Sequence, residues 1–329
     1  MTKGRVKRLE LYLRRTGLRD ISKPGEPLKV VGLKPLTHQG LSGLTFLLTL
    51  AEPQVRLILK LYRNRGKALK ELRLLDFIRN AGVPVPQAYG VDLEGDVLGR
   101  PFLIMEEIRS EGRGEPELMA EKLAATLYLL HSLNPDTADR KIKLERKSIE
   151  DELREIKLLS LLLLILSFPP SLPMIRRVLR ALEELRGISR DRESASGSLL
   201  HGDCGLDNIL YNRGTVYLID LEEAFMGDPA YDVSYAYHSI SISNRFGPDL
   251  ADRFVSAYEE LSGPLENLSL YKRIVALKMS LLLRLLRNPG PLMGLLLGDE
   301  KVKMILKGRR FLRSAEGYYL NYAEGGDRG

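Results

Sequence analysis

Apolar residues follow two patterns along the chain. From Leu28 to Lys60 they come in short runs of strand length, and HQGLSGLTFLLTL sets Gly40, Ser42 and Gly43 between two of these runs. The run VRLILKLY, residues 55–62, holds a single lysine, Lys60, among Ile58, Leu59, Leu61 and Tyr62. A lysine placed that way is either an edge-strand charge or a phosphate binder. KELRLLDFIRNAG then predicts a helix packed through Leu72, Leu75 and Ile78, with Glu71 in its first turn and Gly82 at its end. GRPFLIMEEI, residues 99–108, reads as a further strand. From Glu117 on the spacing is mainly helical, with breaks at Pro169, Pro170 and Pro173, at Gly247-Pro248, at Gly263-Pro264 and around Pro289 to Pro291. The apolar stretch Leu158 to Phe168 predicts a helix buried against its neighbours, the alternative being a lipid-facing patch. Residues 1–20 predict a short basic amphipathic helix, with Leu9, Leu11, Leu13 and Leu18 as its apolar positions, that either lies as a flap on the N-terminal sheet or contacts a membrane or nucleic acid.

The densest chemistry lies between Leu199 and His238. Apolar residues on both sides of Asn212-Arg213-Gly214 predict a hairpin, entered by a loop that carries His201, Asp203, Asp207 and Asn208. Asp220, Glu222 and Glu223 follow the hairpin, then Asp228 and Asp232. Oxygen groups on a stiff support suit a hard cation such as Mg2+, which is commonly held by one or two carboxylates together with phosphates. Asp228 precedes Pro229, the pattern of a helix N-cap with proline at the first helical position.

Composition narrows the setting. The chain of 329 residues is long enough for two lobes, and 44% hydrophobic content supplies a core. A formal net charge of +7 permits an anionic ligand such as a nucleotide without calling for nucleic acid. The single cysteine, Cys204, excludes an intramolecular disulfide and a cysteine-based zinc cluster, and it reads as a small apolar filler. The basic N-terminus leads into no apolar signal core, and Leu158–Phe168 is shorter than the roughly 20 residues that span a bilayer. A cytoplasmic protein with no transmembrane segment is expected.

The segments HGDCGLDN, IDLEE and GDPAYD, in that order, resemble the catalytic core of the aminoglycoside phosphotransferase and choline kinase family, the small-molecule branch of the protein-kinase-like fold. The resemblance covers roughly residues 36–238, and Leu221 departs from the aromatic residue usual after the metal-binding Asp. It implies an α+β bilobal fold: an N-lobe of residues 1–107 with a small antiparallel sheet and one helix, and a mostly helical C-lobe of residues 108–329. It also implies roles. Asp203 would accept or orient the proton of an acceptor hydroxyl, while Asn208 and Asp220 would hold Mg2+ against the phosphates of ATP, with GTP left open. Lys60, oriented by Glu71, would meet the α- and β-phosphates. Gly40, Ser42 and Gly43 would cover the nucleotide. Met105 would border adenine, and the backbone from Glu106 to Ile108 would bond its edge, leaving Glu106 and Glu107 as solvated charges. His201, Asp228 and Asp232 would support the catalytic loop. The implied activity is transfer of a γ-phosphate to a hydroxyl of a small molecule. The alternative is a nucleotide-binding pseudokinase or basic scaffold that binds RNA or a protein partner. Against it, Lys60, Glu71, Asp203, Asn208 and Asp220 are all present.

Overall fold

The computed structural model describes residues 3–26, 28–36, 44–51, 53–110, 115–137, 142–166, 172–190, 192, 197–243, 245–287 and 309–325. They form two compact units. The first comprises Met1–Glu115, Leu133–Lys143 and Asp207–Glu223; the second comprises Pro116–Ser132, Leu144–Leu206 and Ala224–Gly329.

The strand-length runs of the first unit become an antiparallel five-stranded sheet in the order β1-β2-β3-β5-β4. Its strands are β1 (Val30–Pro35), β2 (Leu44–Leu50), β3 (Val55–Leu61), β4 (Ala88–Asp92) and β5 (Phe102–Glu106). Side chains alternate across a strand, so Phe46, Leu48 and Leu50 of β2 and Leu57, Leu59 and Leu61 of β3 share one buried face. Leu9 and Leu13 of helix α1 (Lys3–Thr16) complete that core, and Tyr12 meets Phe102 edge to ring at 5.6 Å. The same alternation turns Ile58 and Lys60 to the opposite face. β3 lies between β2 and β5, so Lys60 is a central-strand lysine and the edge-strand reading fails.

Helix α2 (Arg65–Asn80) begins at Asn64, whose side chain accepts a hydrogen bond from Lys67 N–H, and its last turn is closed by Gly82 at φ +86°. Later in the chain, β7 (Ile209–Asn212) and β8 (Thr215–Leu218) form the hairpin expected around Asn212-Arg213-Gly214. Arg213 and Gly214 both have positive φ, 46° and 77°, as a tight two-residue turn requires. Leu218 N–H donates to the Pro84 carbonyl at 3.0 Å and ties the hairpin to the segment after α2.

The second unit is built on helices. α8 (Leu268–Arg287) contacts α4 (Ile149–Leu166), α5 (Leu172–Ser189), α6 (Ala230–Ser241) and the final described helix, Arg309–Ala323. Their core includes Leu153, Ile156 and Leu163 of α4, Val178 and Leu185 of α5, and Ile274, Leu277 and Leu281 of α8. α3 (Pro116–His131) packs on α7 (Pro248–Ser262). The leucine-rich stretch of α4 is buried on one face only: Leu158, Leu161 and Ile165 are exposed. A helix gripped along one side cannot bury every position of a continuous apolar run. Residues 167 and 168 of that stretch lie outside the described residues. Among the described residues, no helix is long and apolar enough to cross a membrane.

Candidate active site

In the first unit a buried ion network gathers around Lys60. Its Nζ donates to Glu71 Oε2 at 2.7 Å and to Asp220 Oδ1 at 2.7 Å, and lies 3.8 Å from Glu222 Oε2. Lys60, Glu71 and Glu222 are almost wholly buried. Burial opposes the charge on Lys60, but Glu71, then Asp220 and Glu222, outweigh it and raise the ammonium well above its ordinary value. Burial lifts the Glu71 carboxyl, while Lys60 and the Tyr62 hydroxyl pull against that rise. Tyr62 donates to Glu71 Oε2 at 2.8 Å. Lysines of α2 fix the neighbouring acids: Lys67 reaches Glu223 at 2.6 Å and Glu222 at 3.5 Å, and Lys70 donates to the Glu222 carbonyl.

Asp220 sits just beyond β8 with φ +64°, a left-handed conformation that costs an aspartate energy and aims its carboxylate at Lys60. Asn208 stands at the matching end of β7, with its carbonyl accepting from Ile219 N–H at 3.0 Å. An amide and a carboxylate at that end are donor types that hard divalent cations take. Glu71, Asp220 and Glu222 each bring one oxygen within 4.8 Å of the others.

The loop carrying Asp203 belongs to the second unit and hangs from a different kind of anchor. It leaves β6 (Ser198–Leu200), which pairs with β9 (Phe225–Gly227). Asp232 is fully buried beneath it and accepts from His201 N–H at 2.6 Å, from Gly202 N–H at 3.0 Å and from His131 Nε2 at 3.2 Å. Burial alone would raise the Asp232 carboxyl; the bonds and charges of His131 and His201 overcome it and hold the group below the usual carboxylate range. Gly202 has φ +80°, a conformation most readily met by glycine, and this brings two consecutive N–H groups onto one carboxylate. His201 Nδ1 accepts from Asp203 N–H at 3.3 Å. Asp203 is half-buried, and its carboxylate is hydrogen-bonded by the Tyr235 hydroxyl. Cys204 is fully buried, and burial raises its thiol well above the ordinary value, consistent with a filler. Asp228 Oδ1 accepts from Ala230 N–H and Oδ2 from Asn267, while Pro229, one residue later than the pattern predicts, occupies the cap position.

Met105 is buried on β5 opposite Ile58. Glu106 and Glu107 differ from the expectation of solvated charges. Glu106 lies 3.6 Å from Arg79 and accepts from Gln87 N–H; Glu107 pairs with Arg56 and, at 3.1 Å, with Arg109. Arg109 is close in sequence, but Arg56 of β3 and Arg79 of α2 are distant, so spacing around the two glutamates gave no sign of those two. Glu106 N–H is committed to the Gln87 carbonyl. Gly40, Ser42 and Gly43 lie outside the described residues. Sequence reasoning missed Tyr62, Tyr235, Lys67 and Lys70. Tyr62 had a signal, because residues two apart on a strand share a face with Lys60.

An antiparallel five-stranded sheet, with a buried lysine clamped between a helix carboxylate and the acid that follows a hairpin, defines the kinase-like class of phosphotransferases. The chain belongs to the phosphotransferase enzyme family, whose model matches residues 33–269. Solved structures agree on the fold. One is a protein of Ralstonia eutropha JMP134 provisionally assigned as an aminoglycoside phosphotransferase, with a TM-score of 0.71 at 17% identity over 98% of this chain and 99% of that one. The aminoglycoside phosphotransferase APH(4)-Ia, as a thermostable mutant, gives 0.63 at 16% identity over 91% and 96%. The choline kinase LicA from Streptococcus pneumoniae gives 0.56 at 19% identity over 87% and 94%. No curated protein matches the chain.

Proposed function

We propose that the protein transfers the γ-phosphate of ATP to a hydroxyl group of a small molecule. The observation that carries this reading is Lys60, buried and gripped by both Glu71 and Asp220 at 2.7 Å. Glu71, Asp220, Glu222 and Glu223 meet two lysines, Lys60 and Lys67, so the group retains negative charge that a cation can balance. Mg2+, held by Asn208 and Asp220, would neutralise charge developing on the phosphates. Lys60 then turns to the α- and β-phosphates while Glu71 keeps it extended. Adenine lies beside Met105, bonded by the carbonyl of Glu106 and the backbone of Glu107 and Ile108, since Glu106 N–H is already taken. Asp203 orients the acceptor hydroxyl and takes its proton as the O–P bond forms and ADP leaves, with Tyr235 fixing the carboxylate.

One feature favours a free small acceptor over a protein. Asp232 follows Asp220 by only twelve positions and no A-P-E motif stands between them, so there is no room for the peptide platform of a protein kinase. A polycationic aminoglycoside is a poor fit as acceptor: residues 240–329 carry fourteen Lys and Arg against ten Asp and Glu, and Glu152 and Glu155 are both paired with Lys278. The test is a screen of Mg-ATP consumption over hydroxylated metabolites, joined to radiolabelled ATP with cell extract split by size. Label in a small organic product supports the proposal. Label on proteins alone, with nothing but free phosphate in the small-molecule fraction, overturns it.

A further inference from the structure

We infer that the outer face of α1 docks on membranes through anionic lipid headgroups. α1 grips the first unit through Leu9 and Leu13, both fully buried. On the opposite side stands Leu11, 69% exposed. Its neighbours three and four residues away on the helix surface are Lys7, Arg8, Arg14 and Arg15, all exposed. An apolar side chain is thus ringed on all four helical-neighbour positions by cations.

Among the described residues, little acid opposes this charge, and none of it pairs with these four cations. Glu10, the one acid of α1, spends its carboxylate on Val30 N–H at 3.0 Å. Asp20 and Asp76 lie against Arg19, the Asp92 carboxylate accepts from Gly95 and Val97 N–H, and Glu26 accepts from Lys23 N–H. Among the described residues, none of the four cations around Leu11 takes part in an ion pair. Two unpaired cations in the last turn are explained by the helix dipole, but that effect fades within a turn and covers neither Lys7 nor Arg8, nor an exposed leucine between the pairs.

The chemistry separates lipid from nucleic acid. A phosphate backbone would engage the four cations yet leave Leu11 in water. The face offers no ring for a base to stack on, because Tyr12 is turned to Phe102 and bonds the Val91 carbonyl. A headgroup layer takes both, with the cations among lipid phosphates and Leu11 at the acyl boundary. One short helix face gives weak, reversible attachment that depends on anionic lipid.

The test is flotation of the full-length protein with phosphatidylcholine vesicles, with and without phosphatidylglycerol, at low and raised salt. Binding is expected only with phosphatidylglycerol and should weaken as salt rises. Each neutralised cation should reduce it roughly fivefold, so Lys7→Gln/Arg8→Gln/Arg14→Gln/Arg15→Gln together should bring it to the level of neutral vesicles. Leu11→Ser should reduce it roughly tenfold with the charges intact. All five side chains are exposed, so each variant should fold, which circular dichroism checks. The proposal is overturned by equal binding to both vesicle types, by anionic binding that survives the quadruple substitution, by indifference to Leu11→Ser, or by single-stranded RNA binding through these residues while vesicles are ignored.

Discussion

Two buried carboxylate sites, the Lys60 group in the first unit and the Asp232 anchor in the second, handle charge in opposite ways. At Asp232 one carboxylate meets two backbone N–H groups and a histidine ring nitrogen, and its own charge is stabilised. At Lys60 three carboxylates converge on one ammonium, with Lys67 reaching only Glu222 of the three, the backbone of Asp220 is strained, and burial lifts the Glu71 carboxyl. Removing a charge from water is costly, so an interior site is either completed by its own surroundings or held incomplete for something that arrives. Asp232 is of the first kind and holds a loop in place. The Lys60 group is of the second kind, which is why the ligand chemistry is assigned there.

The comparison breaks most readily at Lys60. Lys60→Ala should lower kcat/KM for ATP by roughly 10²-fold, the usual cost of losing one preorganised charge donor. Wild-type kinetics in that variant would place the network with the structural sites. Asp232→Ala should act on stability instead, by about 3 kcal/mol in urea unfolding, because it strands His201 and Gly202 N–H groups in a dry interior. Loss of activity with unchanged stability would reverse the assignment.

A third site sharpens the closed kind. His238 is fully buried, with Nε2 donating to the Lys272 carbonyl at 2.8 Å and Nδ1 facing the Tyr318 hydroxyl. Burial, with a smaller repulsion from Lys272, drives its pKa down to about 4 against the ordinary 6.5. Between those values the unfolded chain binds the proton and the folded chain does not. Its stabilising contribution is therefore complete above pH 6.5 and is lost as pH falls through 4, at most about 3 kcal/mol. His238→Phe should flatten that part of the stability–pH curve; an unchanged slope would contradict the burial argument.

The difference between the two sites also explains what the sequence could reveal. The meeting of Lys60, Glu71 and Asp220 was legible because a lone strand lysine, a helix glutamate and IDLEE mark them, and the sheet and α2 were legible because alternation and helical spacing are local. The anchoring of the loop was legible only in outline: Asp232 sits in GDPAYD, but His131, one of its partners, lies 101 residues away. Tyr235 and Lys67 belong to no motif, and long-range packing alone brings them to Asp203 and Glu223. The packing of α4 on its neighbours was legible, but its exposed side was not, since a run of leucines does not say how many neighbours will cover it.

The measurement closest to the central claim pairs binding with turnover in Asp203→Asn. Titration with Mg-ATP should give a dissociation constant within about threefold of wild type, since the nucleotide is assigned to Lys60, Asn208 and Asp220. Transfer of label from ATP to the small-molecule fraction of an extract should fall by 10³-fold or more, roughly the effect of removing an acid–base group and its charge. Transfer at the wild-type rate, or loss of nucleotide binding in a folded variant, would contradict the account.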